Sequence, residues 1–340
     1  MSTHLPVTSV YHFGPSTGYI GGMASVITML SAHQMGAERA VAIPTWVPGS
    51  HLRSGVLAAW ATTRVLLLQR GSVVHVHMSE GGSFVRETMI VAAARCRRLP
   101  CVITIHGPGF SEFADRQRRL VTSSLRLAQA VTVLSDEDLA VVRRLAPRVH
   151  SELLPNPMPL DALAGPVAET AEIALFAGEV GLRKGADVLQ RAWEIVAPRR
   201  PRARCIVVGP ATSLRLPETE RLEIRGPVTL TAVKELIREA RVIVLPSRHE
   251  ALPMILTEAM AAGRPFVSTP TGGIAALAAG GLLVPVEDHE ALADALLALL
   301  AAPTHAQALG DAGQTLCGEA MSPDSVAARL RQLYHLSPDR

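Results

Sequence analysis

The sequence predicts an α/β protein of two Rossmann-like, doubly wound domains that face each other across a cleft. Three observations predict it. Short β-branched apolar runs alternate with longer stretches of helical periodicity, the order that builds parallel sheets covered on both faces. One Pro-rich stretch without periodicity, LPNPMPLDALAGPVAET at 154–170, interrupts that alternation near the middle. The length of 340 residues suits two domains of ordinary size, and a hydrophobic content of 48% fills a core in each.

The elements follow in order. VTSVYHFGP (7–15) is the first strand region, and Gly21 and Gly22 then open an apolar helix. RAVAIPTW (39–46), VVHVHM (73–78), CVITIH (101–106) and AVTVLS (130–135) are the later strands of the first half. EGGSFVRETMIVAAARCRRL supplies a helix between two of them. In the second half EIALFAG (172–178), RCIVVG (204–209), RVIVLPS (241–247) and RPFVST (264–269) read as strands, and KGADVLQRAWEIVAPRR as a helix. ALADALLALLAA is a plain Ala/Leu-rich helix, and the last helix, about 323–337, is expected to pack back on the first domain. The expected domains are therefore 1–155 and 156–322. Ligands of such sheets bind beyond the carboxyl ends of the strands, where most of the candidate residues sit.

Composition excludes several classes. The net charge of +3 is too small to argue for nucleic acid. It is unevenly spread: residues 1–155 carry 15 Arg, no Lys and 9 acids, a net of +6, and the remainder carries 18 basic and 21 acidic residues, a net of −3. A basic first half suits an anionic acceptor or peripheral contact with a membrane surface, and it equally suits plain solubility. No uncharged apolar run reaches the roughly 18 residues of a membrane helix. The start, MSTHLPVTSVYHFG, has no basic and apolar regions of a secretory signal. Cys96, Cys101, Cys205 and Cys317 make no metal or disulfide framework, so a reduced cytoplasmic setting is expected.

The stretch RHEALPMILTEAMAAG, Arg248 to Gly263, carries the most chemistry. Pro253 suits a first helical turn, where its missing N–H loses nothing. Leu252, Ile255, Leu256, Ala259 and Met260 then form one apolar face. The first-turn amides of Met254 and Ile255, with the helix dipole, suit an anion such as a phosphate. Glu250 and Glu258 bracket that start, and carboxylates there would take hydroxyl protons from sugars on either side of a diphosphate. From spacing alone they are equally a loop charge and a solvated helix face. Arg183 and Lys184 lie in a turn punctuated by Gly178, Gly181 and Gly185, which lets cations approach phosphates, or is simply a βα turn with a basic edge. His106 ends a strand before Gly107 and Pro108. His75 and His77 share a strand face, and with His106 they would supply the three ligands a metal needs. Phosphate cations and glycine turns account for the cleft without metal, so none is expected. Gly81, Gly82 and Ser83 precede a helix with Arg86 in its first turn, which by itself is a plain cap. A nicotinamide enzyme is disfavoured, because Gly-x-Gly-x-x-Gly is absent and no acid ends the second strand.

The segment HEALPMILTEAMAAGRPFVSTPTGGI resembles the signature of retaining glycosyltransferases of family 4, which have the GT-B fold. Glu250, Glu258, Ala259, Met260, Ala261, Gly263, Pro265, Gly272 and Gly273 match the pattern, with Phe266 in a Val place. The resemblance implies that Glu258 holds the ribose of a nucleotide sugar and Glu250 contacts the transferred sugar. It implies that the amides around Leu252, Pro253, Met254 and Ile255 meet the diphosphate. Lys184 and Gly185 match a second family segment, but Glu179 stands where the family has Arg, and Arg183 is expected to supply that charge. His106 resembles a family His held near the anomeric carbon. Gly21 and Gly22 resemble the glycine-rich first loop, the stretch of Gly81, Gly82, Ser83 and Arg86 is similar to an acceptor-side loop of some members, and Gly226 to Val228 resemble the segment that seats the base. The resemblance thus implies a metal-independent, retaining transferase with no cofactor, a nucleotide-sugar donor (a UDP-sugar ahead of a GDP-sugar) and a saccharide, lipid-linked or natural-product acceptor. Residues 1–155 would then form the acceptor side and 156–322 the nucleotide-sugar side. A GT-B epimerase or hydrolase, and an inactive donor-binding partner of a transferase, are the other classes left open.

Overall fold

In the computed structural model the described residues are 7–18, 21–33, 39–160, 165–217, 219 and 221–335. Residues 161–164 of the Pro-rich stretch and 336–337 of the expected last helix lie outside them. The chain divides into two compact units, Met1–Pro157 with Pro323–Arg340 and Met158–Ser322.

The first unit holds strands β1 (Ser9–Pro15), β2 (Arg39–Trp46), β3 (Ser72–Met78), β4 (Cys101–Ile105), β5 (Ala130–Val133) and β6 (His150–Leu153). They form one sheet, in the order β2-β1-β3-β4-β5-β6, and all its pairs are parallel. Every residue of β3 is buried, as a central strand covered on both faces requires. Phe13, Val74, Val76, Phe84, Ile103 and Phe110 belong to the core that the helices close over this sheet. Helix starts follow side-chain chemistry: the Ser135 hydroxyl accepts from the Asp138 amide at 3.1 Å to open the helix Asp136–Leu145.

The second unit repeats the plan with β7 (Ile173–Ala177), β8 (Arg204–Val208), β9 (Leu222–Ile224), β10 (Val242–Leu245), β11 (Phe266–Ser268) and β12 (Gly281–Leu283). Their order is β12-β11-β10-β7-β8-β9, again with parallel pairs. In each sheet the winding reverses once, between β1 and β3 and between β7 and β10. Such reversal points leave a crevice at the carboxyl ends of the two strands. Loops after β1, β3, β7 and β10 are therefore the places to look for ligands. Three strands, β6, β9 and β12, escaped the sequence reading. Each is three or four residues long and lies at or beside a sheet edge. Such pieces are too short to show a period. Among the described residues no single helix is long and apolar enough to cross a membrane.

Candidate active site

At the reversal point of the second sheet, two loops are stapled together. After β7 the chain runs through Glu179 and a short 3-10 turn, Leu182–Lys184, into the helix Ala186–Arg199. After β10 it runs from Pro246 to Pro253 and into the helix Met254–Ala261. The Arg248 amide donates to the Arg183 carbonyl at 2.8 Å. The Arg248 guanidinium grips both carboxylate oxygens of Asp187 at 2.8 Å each, and also bonds Glu287 and the Leu182 carbonyl. These bonds hold the Asp187 carboxyl below the ordinary carboxylate range. Gly185 is obligatory here: its φ is +71°, and a Cβ on it would lie 1.9 Å from the Pro246 carbonyl oxygen.

The staple delivers Lys184 to Glu250. The Lys184 ammonium donates to Glu250 Oε1 at 2.5 Å, and the Ser247 hydroxyl donates to the same oxygen at 2.8 Å. Both side chains are largely buried, Lys184 at 14% and Glu250 at 6% exposure. Glu250 sits on a shelf made by Gly272 and Gly273. Gly272 has φ +58°, and a Cβ there would lie 2.0 Å from the Glu250 carbonyl oxygen. The Gly273 amide donates to the Ala251 carbonyl at 2.6 Å. Arg183 is divided: it donates to Glu179 at 3.0 Å and to the His249 carbonyl at 3.4 Å, and lies 3.9 Å from Glu250. Glu179 also accepts from the Thr212 hydroxyl at 2.7 Å. The Thr212 bond, then Arg183, lowers the Glu179 pKa. Two cations and two carboxylates thus share this corner.

The neighbouring candidates of the second unit lie on the same loops or after β9, two strands along the sheet from β7. Pro253 is the N-cap, with ψ 122°, and the helix starts at Met254. This corrects the placement of Pro253 inside the first turn. The proline carbonyl, accepting from the Leu256 amide at 3.1 Å, is the part that opens the helix. Leu252 and Ile255 are buried, each 8% exposed. Met254 and Glu258 are half-buried, Glu258 one turn into the helix. Gly226 follows β9 with φ +64°, and its carbonyl accepts from the Gly209 amide at 2.8 Å, while Val228 is half-buried. Ser247, Thr212 and Arg248 were not singled out from the sequence. Ser247 had a signal, since it directly follows a strand beside Glu250. Arg248 had none, because Asp187 and Glu287 are distant in sequence.

In the first unit, Gly21 is the N-cap of the helix Gly22–Ala32, next to the loop after β1. Gly21 and Gly22 line a cavity of about 830 Å³ together with Trp46, Ala58, Val85 and Arg86. Arg86 is fixed from beneath: its Nε donates to Glu87 at 3.1 Å. The fully buried Glu87 also accepts from Thr45 at 2.5 Å and Ser83 at 3.1 Å. Burial raises the Glu87 pKa against the pull of these donors.

His106 follows β4 and is half-buried. Its Nε2 lies 2.9 Å from His77 Nδ1, and His77 Nε2 lies 3.1 Å from His12 Nδ1. His75 bonds Tyr334 Oη and Thr104 Oγ1, each at 2.7 Å. His75 and His77 do share a face, with ring centroids 4.4 Å apart. Burial pushes all four rings down, His12 and His106 to about 3. Among the described residues the three rings whose nitrogens lie within 4.8 Å of one another are His12, His75 and His77, so His12 stands in place of His106 in the metal trio weighed from the sequence. The nitrogens of His75 and His77 are already committed to protein partners, which leaves a poor donor set for an ion.

Residues 171–302 match the family model described as Glycosyl transferases group 1. The chain is 30% identical over 237 residues to the D-inositol 3-phosphate glycosyltransferase of Xylanimonas cellulosilytica, covering 63% of this chain and 56% of that one. It is 24% identical over 294 residues to the Mycobacteroides abscessus protein of the same name, covering 82% of this chain and 62% of that one. The matches thus span little more than half the length of these curated relatives. Among solved structures, sucrose-phosphate synthase from Thermosynechococcus elongatus superposes with a TM-score of 0.74 at 19% identity, covering 96% of this chain and 98% of that one. Anabaena HepE in complex with UDP and glucose gives 0.72 at 14%, covering 96% and 99%. At such identities these two likenesses establish the fold, which is GT-B.

Proposed function

We propose that this chain, a relative of the group 1 glycosyltransferases (family 4) with the GT-B fold, moves a sugar from a nucleoside diphosphate sugar to an acceptor hydroxyl. The observation that carries the reading is the Lys184–Glu250 pair at the reversal point of the second sheet, 2.5 Å long and braced by two glycines no other residue can replace. A UDP-sugar is favoured over a GDP-sugar, in keeping with the UDP bound in the HepE structure.

The chemical task is to stabilise a departing diphosphate while positive charge grows on the sugar. An ammonium has three N–H donors, and Glu250 takes one of those of Lys184, leaving the others for phosphate oxygens. Arg183 keeps donors beyond those given to Glu179 and His249. The helix start at Met254 adds oriented dipoles, and such preorganised charge is usually the largest catalytic contribution. Glu250, whose Oε1 is occupied, offers its other oxygen to hydroxyls of the transferred sugar. Glu258 is assigned the ribose, Gly226 and Val228 the base, and His106 a contact with the transferred sugar. With the diphosphate neutralised by side chains, no divalent metal is needed, and activity is expected to survive a chelator. Retention follows if the acceptor attacks from the leaving-group face and gives its proton to a phosphate oxygen, so no side-chain base is assigned. The cavity lined by Gly21, Gly22 and Arg86 is assigned to the acceptor, a saccharide, lipid-linked or natural-product hydroxyl, in a cytoplasmic setting.

One observation favours a second reading. Glu179 already engages Arg183, which leaves the corner formally neutral, as suits an inactive donor-binding partner. Thermal stabilisation by UDP-, GDP- and ADP-sugars selects the donor, because a ligand of the native state raises Tm. Product analysis with that donor then decides: transfer or slow donor hydrolysis supports the enzyme, whereas binding without turnover supports the partner. No stabilisation by any nucleotide sugar overturns both.

A further inference from the structure

The ring of His106 does not stand alone. His106 Nε2, His77 Nδ1, His77 Nε2 and His12 Nδ1 form two successive N···N hydrogen bonds of 2.9 and 3.1 Å, running from the end of β4 into the core of the first unit. The chain ends there: His12 Nε2 is buried and has no hydrogen-bond partner among the described residues. The outer end, His106 Nδ1, likewise makes no hydrogen bond to described residues, on a half-buried side chain.

Neutral imidazole carries one N–H and one lone pair. Burial keeps these rings neutral near pH 7. His77 is bonded at both nitrogens, so it donates through one and accepts through the other. Only two arrangements then exist. In the outward one, His12 Nδ1–H donates to His77 Nε2 and His77 Nδ1–H donates to His106 Nε2, leaving the His106 proton on Nδ1. In the inward one every bond reverses, His106 Nδ1 is bare, and His12 must bury an Nε2–H that has no acceptor. An orphaned buried N–H is the rarer and costlier fault.

We infer that His12 and His77 are positioning residues that fix the tautomer of His106, so that its outer nitrogen is always an N–H donor. The wire cannot conduct a proton, because its inner end reaches neither solvent nor a second partner. It works instead as a static bias. If His106 contacts the transferred sugar, as the transferase reading assigns, a donor N–H there binds a hydroxyl or ring oxygen lone pair, where a bare nitrogen would repel it. This consequence for turnover rests on the transferase reading above; the tautomer itself does not.

The test uses the full chain with histidine rings labelled with 15N, the His106 signals being identified by their loss in His106→Gln. Two-bond 1H–15N correlation reports which nitrogen carries the proton. The wild-type spectrum is expected to show Nδ1–H at His106, and a bare Nδ1 overturns the inference whatever the activity. His12→Asp places an obligate acceptor against His77 Nε2 and should reverse both bonds, moving the His106 proton to Nε2. Turnover should then fall about tenfold with UDP affinity unchanged. His12→Asn offers an amide N–H where Nδ1–H stood and should restore the wild-type tautomer. An unchanged His106 signal in folded His12→Asp overturns the inference. If His12→Asp does not fold, the wild-type and His12→Asn spectra decide. If the wild type moves no sugar, the transferase reading fails while the spectrum still judges the wire.

Discussion

The two units share one sheet plan and handle polar side chains in opposite ways. In the first, β1 and β3 bury His12, His75 and His77, half-buried His106 follows β4, and the four neutral rings bond to one another, Tyr334 and Thr104. In the second, ions gather at the strand ends, where Lys184, Arg183, Arg248 and their carboxylates keep their charges through close pairing. Depth explains the contrast. A lone charge in a core costs more than a proton, so core histidines shed theirs. At the strand ends each charge has an opposite partner within hydrogen-bond reach, which offsets the cost of its burial. The first unit stores hydrogen-bond direction, and the second stores charge.

Acid should break the comparison most. His12, His75 and His77 have folded pKa values below their ordinary 6.5. Their unfolded forms therefore bind protons first, and stability present above pH 6.5 is lost as pH falls, for His12 towards about 3. His12 alone costs about 1.4 kcal/mol per pH unit over that window. Glu87, and Asp138 raised to about 6, act oppositely with one proton each, against four rings once His106, also lowered to about 3, is included. Glu179, Asp187 and Glu223 in the second unit are lowered from 4.5, 3.8 and 4.5, so their contribution is lost only below that range. Hydrogen exchange should show β3 amides losing protection at a higher pH than those of β10, and simultaneous loss would contradict the contrast.

Lys184→Ala tests the charged side next. We expect turnover to fall by about 10²–10³-fold, with weaker UDP binding by calorimetry. Unchanged kinetics would remove Lys184 from the leaving-group role. Glu258→Ala should raise the UDP dissociation constant about tenfold, and a titration equal to wild type would refute the ribose contact. Glu179→Gln should have the smallest effect, a roughly threefold tightening of UDP binding as Arg183 is released, fading at high salt because the pair is partly exposed. Weaker binding would mean that Glu179 orients Arg183 usefully.

Legibility followed the same divide. Lys184 was marked by the glycines of its turn, and Glu250 by its place between the end of a strand and a helix start, where local pattern locates a sheet's ligand end. The alternation of His75 and His77 was readable for the same local reason. His12 was not. Its part depends on the pairing of β1 with β3, which sets His12 beside His75 across 63 residues of chain, and no short window contains that register. Arg248 escaped likewise, since its partners Asp187 and Glu287 come from other loops. Pro253 was missed by one position, because a proline fits the residue before a helix as readily as its first.

The bond between His75 and Tyr334 joins residues 259 positions apart. On a ribosome, β1 to β6 emerge long before the helix Pro323–Tyr334 that completes their unit. The second unit lies wholly between and has all its strands in hand earlier. The portion begun first is thus the portion finished last, and a nascent chain arrested before Tyr334 should carry a settled second half beside an incomplete first one.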